Sequence, residues 1–402
     1  MKRELILKEK LPDGWKWAKF ENVVDILDNM RVPINTNERT KIIGNIPYYG
    51  ANGQAGWIDK YIFDEELVLL AEDGGNFLDK SKEVAYLITG KSWVNNHAHV
   101  LRGKNGILLN KYLYFFLNTI KYTQYVGGST RLKLNQSEMK KIPILLPPLP
   151  VQQQIVVKLD AQMSQIEVMK KEAKKQDEKI DFLFDSLLIN VFEKLTNQIE
   201  LGSLINNIQN GIYKPEHFRR RGIKLVRMYN IESNSLNLND KDLQEIELSE
   251  EEKKHFILDK EDILLSRVNS AELVGKCGMV GDNLEGFAFE NMIIRIKTNK
   301  QKLIPEYLGY FFLSPIGKRE IKKITRLAIN QASINNKDVK TIKIRLPSSI
   351  TKQENIAQEL STKYKIINDI KQNITIKIGA LDQFQSSILN EVFGKYDIPD
   401  VK

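Results

Sequence analysis

The stretch Thr130-Arg131-Leu132-Lys133-Leu134-Asn135-Gln136 occurs a second time in this chain, as Thr325-Arg326-Leu327-Ala328-Ile329-Asn330-Gln331. The flanking sequence repeats in the same order: residues 112–117 (YLYFFL) return as 307–313, and residues 142–147 (IPILLP) return as 342–347. Each copy ends on a similar tag, LINVF at 188–192 and LNEVF at 389–393. A repeat that extends over roughly 80 residues indicates two structural units built on one plan.

The first part of each half is different. Residues 28–106 and 210–300 share almost nothing that can be aligned, so each half consists of a variable block followed by a repeated block. The division predicts four segments: globular blocks at 1–150 and 197–348, and helical blocks at 151–196 and 349–396. The variable blocks are expected to do different versions of one task, and the repeated blocks to form a common scaffold.

The repeated blocks are predicted to be long helices, because apolar residues recur at alternating steps of three and four. Lys170 and Asp177 interrupt the first stripe, and Lys363 and Lys377 interrupt the second. About 40 helical residues form a rod of roughly 60 Å. We expect the two helices to pair antiparallel as a coiled-coil spacer; an ordinary buried helix in each core is the alternative. The stripe residues are Leu159, Met163, Ile166, Ala173, Ile180, Phe184, Leu187 and Val191, then Leu360, Ile367, Ile370, Ile374, Leu381, Phe384 and Ile388.

Prolines mark where the helices start. Pro147, Pro148 and Pro150 precede the first, and Pro347 precedes the second. Thr351 followed by Glu354 predicts a capping box at the start of the second helix.

Composition limits the classes of function. The chain has 402 residues, four scattered histidines and a single cysteine, Cys277, which excludes a disulfide framework and a cysteine-based zinc site. The sequence has no apolar run of about 18 residues and starts with a charged segment, so we expect a cytoplasmic protein.

The net charge of +9 is unevenly distributed. Residues 151–196 hold 7 Lys/Arg against 8 Asp/Glu, and residues 351–396 hold 6 against 5, so the surplus lies in the two globular blocks and the short tail. A positive field confined to certain domains is typical of proteins that bind polyanions, because neutralised phosphates supply most of the non-specific affinity. On charge alone, a basic surface without a ligand is the alternative.

Several motifs of the first half occur in a recognisable order. The entry is Leu11-Pro12-Asp13-Gly14-Trp15, and the loop Ile46-Pro47-Tyr48-Tyr49-Gly50-Ala51 follows. Ser129-Thr130 then precedes Ile142-Pro143 and a Gln-rich helix start at 151–154. This order resembles the half-unit of type I restriction–modification specificity subunits. The second half matches less fully, since its entry lacks the tryptophan and its end has one proline.

The resemblance implies an α+β fold with two globular target-recognition domains, separated by two long antiparallel coiled-coil helices and related by an internal pseudo-twofold repeat. Each domain would read one half of a split double-stranded DNA site. The implied partners are two modification subunits, which carry S-adenosylmethionine and methylate adenine, and two restriction subunits, which use ATP and Mg. This chain would carry no cofactor itself.

Base edges are read by Arg, Lys, Asn and Gln, and phosphates are bound by cations and hydroxyls. We therefore expect DNA contacts from polar residues in the glycine- and asparagine-rich loops of each variable block; for each, a solvated turn residue is the alternative. The first block supplies Tyr48, Tyr49, Asn52, Gln54, Asn95, Asn96, His97 and Arg131. The second supplies Lys214, Arg219, Arg220, Arg221, Arg267, Asn269, Asn291 and Arg326.

Catalytic interpretations are weaker. Asn45-Ile46-Pro47-Tyr48 resembles the catalytic tetrapeptide of amino-group methyltransferases, but the sequence offers no convincing Gly-rich loop for S-adenosylmethionine and no Walker motif for ATP. His97 and His99 share a strand face without an evident third metal ligand. We therefore predict no catalytic and no metal site. A fused type IIB-like enzyme, a stand-alone methyltransferase and a protein-binding coiled-coil adaptor are the alternatives.

Overall fold

The apolar run Leu67-Val68-Leu69-Leu70-Ala71 forms a fully buried strand in the first of two units. The first unit comprises residues 1–174 and 375–402, and the second comprises residues 175–374. The structure is a computed structural model that describes residues 10–39, 41–79, 82–215, 221–329 and 331–396.

Short strands alternate with short helices in the first unit before the first long helix begins. In chain order the elements are β1 (Lys16–Ala18), α1 (Phe20–Val23), β2 (Val24–Ile26), α2 (Thr36–Arg39), β3 (Ile46–Gly50), β4 (Gly53–Ile58), β5 (Phe63–Asp64), β6 (Leu67–Ala71), β7 (Ala85–Ile88), β8 (Lys91–Val94), β9 (Ala98–Gly103), α3 (Asn110–Leu117), α4 (Gln136–Met139), β10 (Ile144–Leu146) and α5 (Leu149–Glu193).

The second unit follows a similar sequence of elements. They are β11 (Gln198–Glu200), β12 (Ile205–Asn210), β13 (Ile223–Val226), β14 (Gln244–Ile246), α6 (Glu250–Phe256), β15 (Ile263–Ser266), β16 (Val268–Asn269), β17 (Cys277–Met279), β18 (Ala288–Phe289), β19 (Ile293–Thr298), α7 (Pro305–Leu313), α8 (Pro315–Ile324), β20 (Arg326–Ala328), β21 (Gln331–Ser333), α9 (Asn336–Lys340), β22 (Lys343–Arg345) and α10 (Ile350–Phe393).

The two units share one strand order although their variable blocks cannot be aligned. In the first unit, an antiparallel sheet has the order β2-β9-β6-β7, and β3 lies between antiparallel β4 and parallel β8. In the second unit, the order β12-β19-β15-β17 is again antiparallel, and β13 lies between antiparallel β14 and parallel β18. The edge pairs β1-β10 and β11-β22 also correspond. The predicted α+β class and internal repeat are confirmed.

A buried glutamine fixes the start of each long helix. Gln152 accepts a hydrogen bond from the backbone of Leu109 (3.0 Å) and donates to the carbonyls of Ile107 and Pro147 (both 2.9 Å). Gln353 in the second unit accepts from Ile304 (3.0 Å) and donates to a backbone carbonyl (3.0 Å) in the same way. The glutamine-bearing stretches noted in both copies therefore satisfy buried backbone groups ahead of α3 and α7.

A phenylalanine fixes the end of each long helix. Phe393, at the end of α10, packs edge-on against Tyr112 in the first unit, with ring centroids 5.4 Å apart. Phe192, at the end of α5, packs edge-on against Tyr307 in the second unit, also at 5.4 Å. Each core therefore contains the start of one long helix and the end of the other.

Contacts within each unit show that the long helices pack antiparallel there. In the first unit, Lys170 of α5 lies 2.7 Å from Asp382 of α10, and Lys158 lies 4.0 Å from Glu391. In the second unit, Phe184 packs against Tyr364, with ring centroids 5.3 Å apart. Lys170, predicted as a polar break in the stripe, is thus satisfied by a partner carboxylate. Within the described ranges, no helix is long and apolar enough to cross a membrane.

Two sequence expectations about α10 need adjustment. The helix begins at Ile350, and the Ser349 hydroxyl accepts a hydrogen bond from the amide of Lys352 (3.3 Å), so the capping box predicted at Thr351 is wrong. Two predicted stripe residues are exposed, Ile370 at 39% and Phe384 at 56%. The observed helices, Leu149–Glu193 and Ile350–Phe393, begin and end within three residues of the predicted bounds.

The alignment of residues 130–136 with 325–331 does not match the strand pairing. Gly127 pairs with Lys133 in the first unit, whereas Arg326 pairs with Ser333 in the second. Both segments alternate apolar and polar residues, so either register looks plausible in sequence, and backbone hydrogen bonding decides between them. Arg131 and Arg326 therefore occupy different positions in their hairpins.

The hydrogen bonds of Gln152 at the start of α5 give a testable prediction, and the nearby Gln154 provides the control. Gln152→Ala leaves three buried backbone groups without partners, and we expect it to lower the free energy of unfolding of the first unit by about 3 kcal/mol. Gln154→Ala removes an exposed glutamine two residues away and should change it by less than about 0.5 kcal/mol. Urea unfolding and amide hydrogen exchange at Leu109 measure the effect. Equal stability and equal exchange in the two variants would contradict the assigned role.

Candidate nucleic-acid interface

Two acids directly after β6 organise one surface of the first unit. The carbonyl of Glu72 accepts a backbone hydrogen bond from Leu134 (2.7 Å), and Asp73 follows it in the chain. Gly127 and Lys133 exchange two backbone hydrogen bonds (3.0 and 2.8 Å), which close a hairpin over residues 127–133. This hairpin is thereby fixed beside the end of β6, and its exposed tip carries Arg131.

Asp73 gathers predicted DNA contacts from separate parts of the chain. Its carboxylate accepts a hydrogen bond from Nη2 of Arg131 (2.7 Å) and lies 2.8 Å from Nδ1 of His97. The amide of Asn52 donates to the carbonyl of Gly74 (3.0 Å) beside them. Gly74 has a φ of +64°, and a Cβ there would lie 2.8 Å from the Arg131 guanidinium. A glycine is therefore required where these loops meet.

A buried ionic pair lies beneath this surface. Nε2 of His99 binds the carbonyl of Leu134 (2.8 Å), and Nδ1 binds the carboxylate of Asp28 (2.6 Å). A carbonyl oxygen only accepts, and Asp28 also accepts from the amide of Val100 (2.9 Å), so the arrangement fits a doubly protonated imidazole. Burial opposes ionisation of Asp28 most strongly, yet the hydrogen bond and charge of His99 hold the pKa of Asp28 below its usual value.

Arg31 completes this network and was missed in the sequence. Its Nη1 lies 2.7 Å from both the Glu72 carboxylate and the carbonyl of Ala98. Its Nη2 lies 3.5 Å from Asp28. These partners are up to 67 positions away along the chain, and no local pattern marks the residue.

The acids also approach the geometry of a metal site. Ligand atoms of Asp28, Glu72 and His99 lie within 4.8 Å of one another, and His97 is not part of this group. Arg31 already binds Glu72 at 2.7 Å, and Lys133 binds it at 3.2 Å. Because these cations neutralise the acids, we interpret the cluster as a salt-bridge network that holds the hairpin.

Two candidates from the first block are buried. Tyr48 is 1% exposed, with the guanidinium of Arg39 4.6 Å from its ring centroid. Asn95 is 7% exposed, and its side-chain oxygen accepts from the backbone of His97 (2.8 Å). This burial argues against direct DNA contacts for both. It also argues against a methyltransferase role for residues 45–48, since that role needs an aromatic ring free to stack on a base.

The remaining candidates of the first block are more accessible. Asn96 is exposed in the turn before β9. Gln54 is exposed on β4, and its amide donates to the carbonyl of Gly56 (3.2 Å). Tyr49 is half-buried beside Tyr86, with ring centroids 6.1 Å apart. Asn96 therefore lies close in sequence to His97, whereas Gln54 is placed on a separate strand.

In the second unit, Arg267 and Asn291 are brought together. Nη1 of Arg267 donates to the carbonyl of Asn291 (3.2 Å), while its buried Nε has no hydrogen-bond partner among the described residues. Asn269 lies on β16, two residues further on. The carbonyl of Arg267 accepts from Ile334 (3.0 Å), as Glu72 accepts from Leu134 in the first unit. Glu72 and Arg267 therefore occupy equivalent positions in the two units but carry opposite charges.

Lys214 and Arg221 form a separate group around Glu247. The ammonium of Lys214 donates to the Glu247 carbonyl (2.8 Å) and to the Glu252 carboxylate (2.6 Å), and the latter bond lowers the pKa of Glu252. The guanidinium of Arg221 is paired with the Glu247 carboxylate. These cations are therefore engaged within the protein.

Of the last three candidates of the second block, the structure describes only Arg326. Arg326 is exposed at the base of its hairpin and binds Asp338 at 2.8 Å. Arg219 and Arg220 lie outside the described residues.

The family described as "Type I restriction modification DNA specificity domain" matches residues 12–177 and 193–380. The two matches cover one half of the chain each and together span most of its length.

Individual relatives agree with that match. The chain is 39% identical over 163 residues to a Haemophilus influenzae protein named as a type I restriction enzyme specificity subunit, covering 40% of this chain and 41% of that protein. It is 23% identical over 289 residues to the EcoKI specificity subunit of Escherichia coli K12, covering 68% of this chain and 61% of that one. The matches thus span less than two thirds of either relative.

One solved structure shares the fold. It is a chain from a study of complex assembly and conformational transition of the type I R-M system, with a TM-score of 0.67 and 15% identity. The match covers 96% of this chain and 99% of that one.

The buried pair gives a pH-dependent prediction. Asp28→Asn removes the buried carboxylate that accepts hydrogen bonds from His99 and Val100, and we expect a loss of about 3 kcal/mol in unfolding free energy at pH 7. Because the folded-state pKa of Asp28 is below 3.8, its contribution is full above pH 3.8 and is lost as pH falls through that lowered pKa. Urea titrations at several pH values measure the difference, with exposed Asp64→Asn as the control. A difference that stays constant at low pH would contradict the assignment.

Proposed function

This chain belongs to the family of type I restriction–modification DNA specificity domains, and from that premise we propose that it is the DNA-specificity subunit of a type I restriction–modification enzyme. Each unit reads one half-site of a bipartite, gapped double-stranded DNA target. The chain directs an adenine methyltransferase and an ATP-dependent restriction enzyme to that target and carries out no chemistry itself.

The observation that carries the proposal is the duplicated scaffold with unrelated loops. Strand order is the same in both units, whereas residues 28–106 and 210–300 cannot be aligned. A shared scaffold with divergent surface loops suits two readers of different sequences, because base-reading residues sit on loops while the core preserves the fold.

In the first unit, the reading surface is the loop cluster around Asp73. Asn52 and Asn96 offer amides, and His97 and Arg131 offer nitrogen donors, all of which match groups on base edges or phosphates. Asp73 holds Arg131 in place at 2.7 Å, beside His97, before DNA arrives. Holding a side chain in advance reduces the conformational entropy lost on binding.

In the second unit, Arg267 takes the position that Glu72 holds in the first. Arg267 is only partly buried, and its guanidinium is the group that makes bidentate contacts to guanine O6 and N7. Asn269 and Asn291 flank it and offer amides for adenine or for phosphates. The opposite charges at this position support different half-sites for the two units.

The chemistry is proposed to lie in partner subunits. Two modification subunits supply S-adenosylmethionine and methylate adenine, and two restriction subunits supply ATP hydrolysis and Mg-dependent cleavage. The supporting argument is the family membership, together with a sequence that has neither a Walker motif nor a convincing S-adenosylmethionine loop. A cytoplasmic location fits these partners and this substrate.

The test is to express the chain with the methyltransferase encoded beside it and to map methylated adenines by single-molecule sequencing. We expect a bipartite, gapped motif that disappears when this chain is omitted. A continuous motif, or methylation that persists without this chain, would contradict the proposal and favour an independent methyltransferase or a protein adaptor.

The same experiment separates the two readers. Arg131→Gln removes a cation from the loop cluster of the first unit and should lower methylation or relax sequence preference in one half of the motif only. Lys16→Gln, which removes an exposed cation from β1, is the matched control and should leave both halves unchanged.

A further inference from the structure

A strongly basic segment of the second unit extends beyond the DNA contacts predicted from sequence, of which it contains only Arg326. Residues 318–345 contain nine Lys/Arg and two Asp/Glu. They cover α8, the β20–β21 hairpin, α9 and β22 in the second unit. This short stretch therefore has a formal charge of +7, compared with +9 for the whole chain.

Helix α8 turns a cationic face to solvent. Ile316 and Ile321 are buried in the core of the second unit. The exposed side chains between and after them are Lys318, Arg319, Lys322 and Lys323. Spacings of one, three and four residues place them on one side of the helix.

Two of these cations have no role within the described structure. Lys318 binds Asn234 (2.7 Å), and Lys323 binds Glu320 (2.6 Å). Arg319 and Lys322 form no hydrogen bond or ion pair with any residue that the structure describes. Lys322 lies in the last helical turn, where a cation favours the helix dipole, but that explanation does not extend to Arg319.

Exposed apolar side chains follow the cationic face directly. Leu327 is 75% exposed and Ile329 is 93% exposed, on a hairpin whose first strand begins at Arg326. Single exposed apolar residues are common, but two within three residues at a hairpin indicate an unfilled contact. The hairpin itself is anchored, because β21 pairs with β16.

This surface is continuous with predicted DNA contacts. Asn269 of β16 pairs with Ala332 of β21. Gly275 has a φ of +79°, and a Cβ there would lie 2.5 Å from Ile321, so the loop after β16 can pack closely against α8. The cleft between them has a volume of about 430 Å³, and its charged lining consists of Glu272, Lys276, Lys318 and Lys322.

The first unit has no such feature among its described residues. The segment between α3 and its hairpin, residues 118–126, contains one cation, Lys121, and no α-helix. The cationic helix is therefore an addition of the second unit and not part of the shared plan.

We propose that α8 and the β20–β21 hairpin, here called the basic ridge, form a DNA-contact surface of the second unit. Arg319 and Lys322 bind backbone phosphates, and Leu327 and Ile329 enter the adjacent groove against base edges. The proposal rests on the proposed function and adds to it a binding surface of which only Arg326 was predicted from sequence.

The charge selects DNA over a protein partner as the occupant. A segment with nine cations and two anions is strongly attracted by a phosphate backbone, which releases counterions on binding. Apolar side chains fit the same ligand, because they contact thymine methyl groups in the major groove or wedge between base steps in the minor groove.

The phosphate contacts are tested with the full chain assembled with its methyltransferase. Arg319→Gln combined with Lys322→Gln should reduce the slope of log affinity against log salt by about 2, since each phosphate contact contributes roughly 0.9. Lys260→Gln combined with Lys300→Gln removes the same charge from residues that line another depression in the unit, and should leave the slope unchanged. Equal slopes for the two double variants would overturn the proposal.

The apolar contacts are tested in the same assembly with Leu327→Ala combined with Ile329→Ala. Both side chains are exposed, so folding should be unaffected, and we expect affinity for the target to fall about tenfold with an unchanged salt slope. Loss of methyltransferase assembly with DNA affinity intact would overturn the proposal and identify a protein contact. If the wild-type assembly recognises its motif and the ridge variants bind DNA equally well, the basic ridge is overturned but the proposed function stands. If the wild-type assembly itself shows no specific DNA binding, the proposed function is overturned as well.

Discussion

The burial of both ends of each long helix is the constraint on which the two units depend. Gln152 satisfies three backbone groups where α5 begins, and Phe192 packs into the core of the second unit where α5 ends. Gln353 binds two backbone groups in the second unit where α10 begins, and Phe393 packs into the core of the first unit where α10 ends. Neither core is complete without both helices, so the repeated sequence is preserved where it contributes to the cores, and the variable blocks are free to differ elsewhere.

Electrostatics distinguishes the two units within one fold. At the position after β6 and β15, the first unit has Glu72, which Arg31 and Lys133 neutralise, and the second has Arg267 with an unpaired Nε. The first unit therefore uses its acids to hold cationic and amide side chains in a fixed cluster. The second unit presents cations directly and extends them along α8. These differences arise on loops and an added helix, where substitutions cost little stability.

The parts of the fold that depend on local pattern were predictable. The repeat and the two long helices follow from motif order and apolar spacing, and the observed bounds agree to within a few residues. Contacts between distant residues were not predictable, as shown by Arg31, whose partners lie 41 and 67 positions away. Burial of Tyr48 and the shifted pairing of the hairpin also depend on tertiary packing and not on residue type. The sequence therefore identified the polar loops but not the network that orders them.

The proposed function requires two independent readers on one scaffold. The most direct test replaces residues 197–348 with the corresponding block of a relative that directs methylation of a different motif, keeping both long helices of this chain, and then maps methylated adenines. One half of the bipartite motif should change to that of the donor while the other half is retained. A motif that changes in both halves, or in neither half while methylation persists, would contradict it.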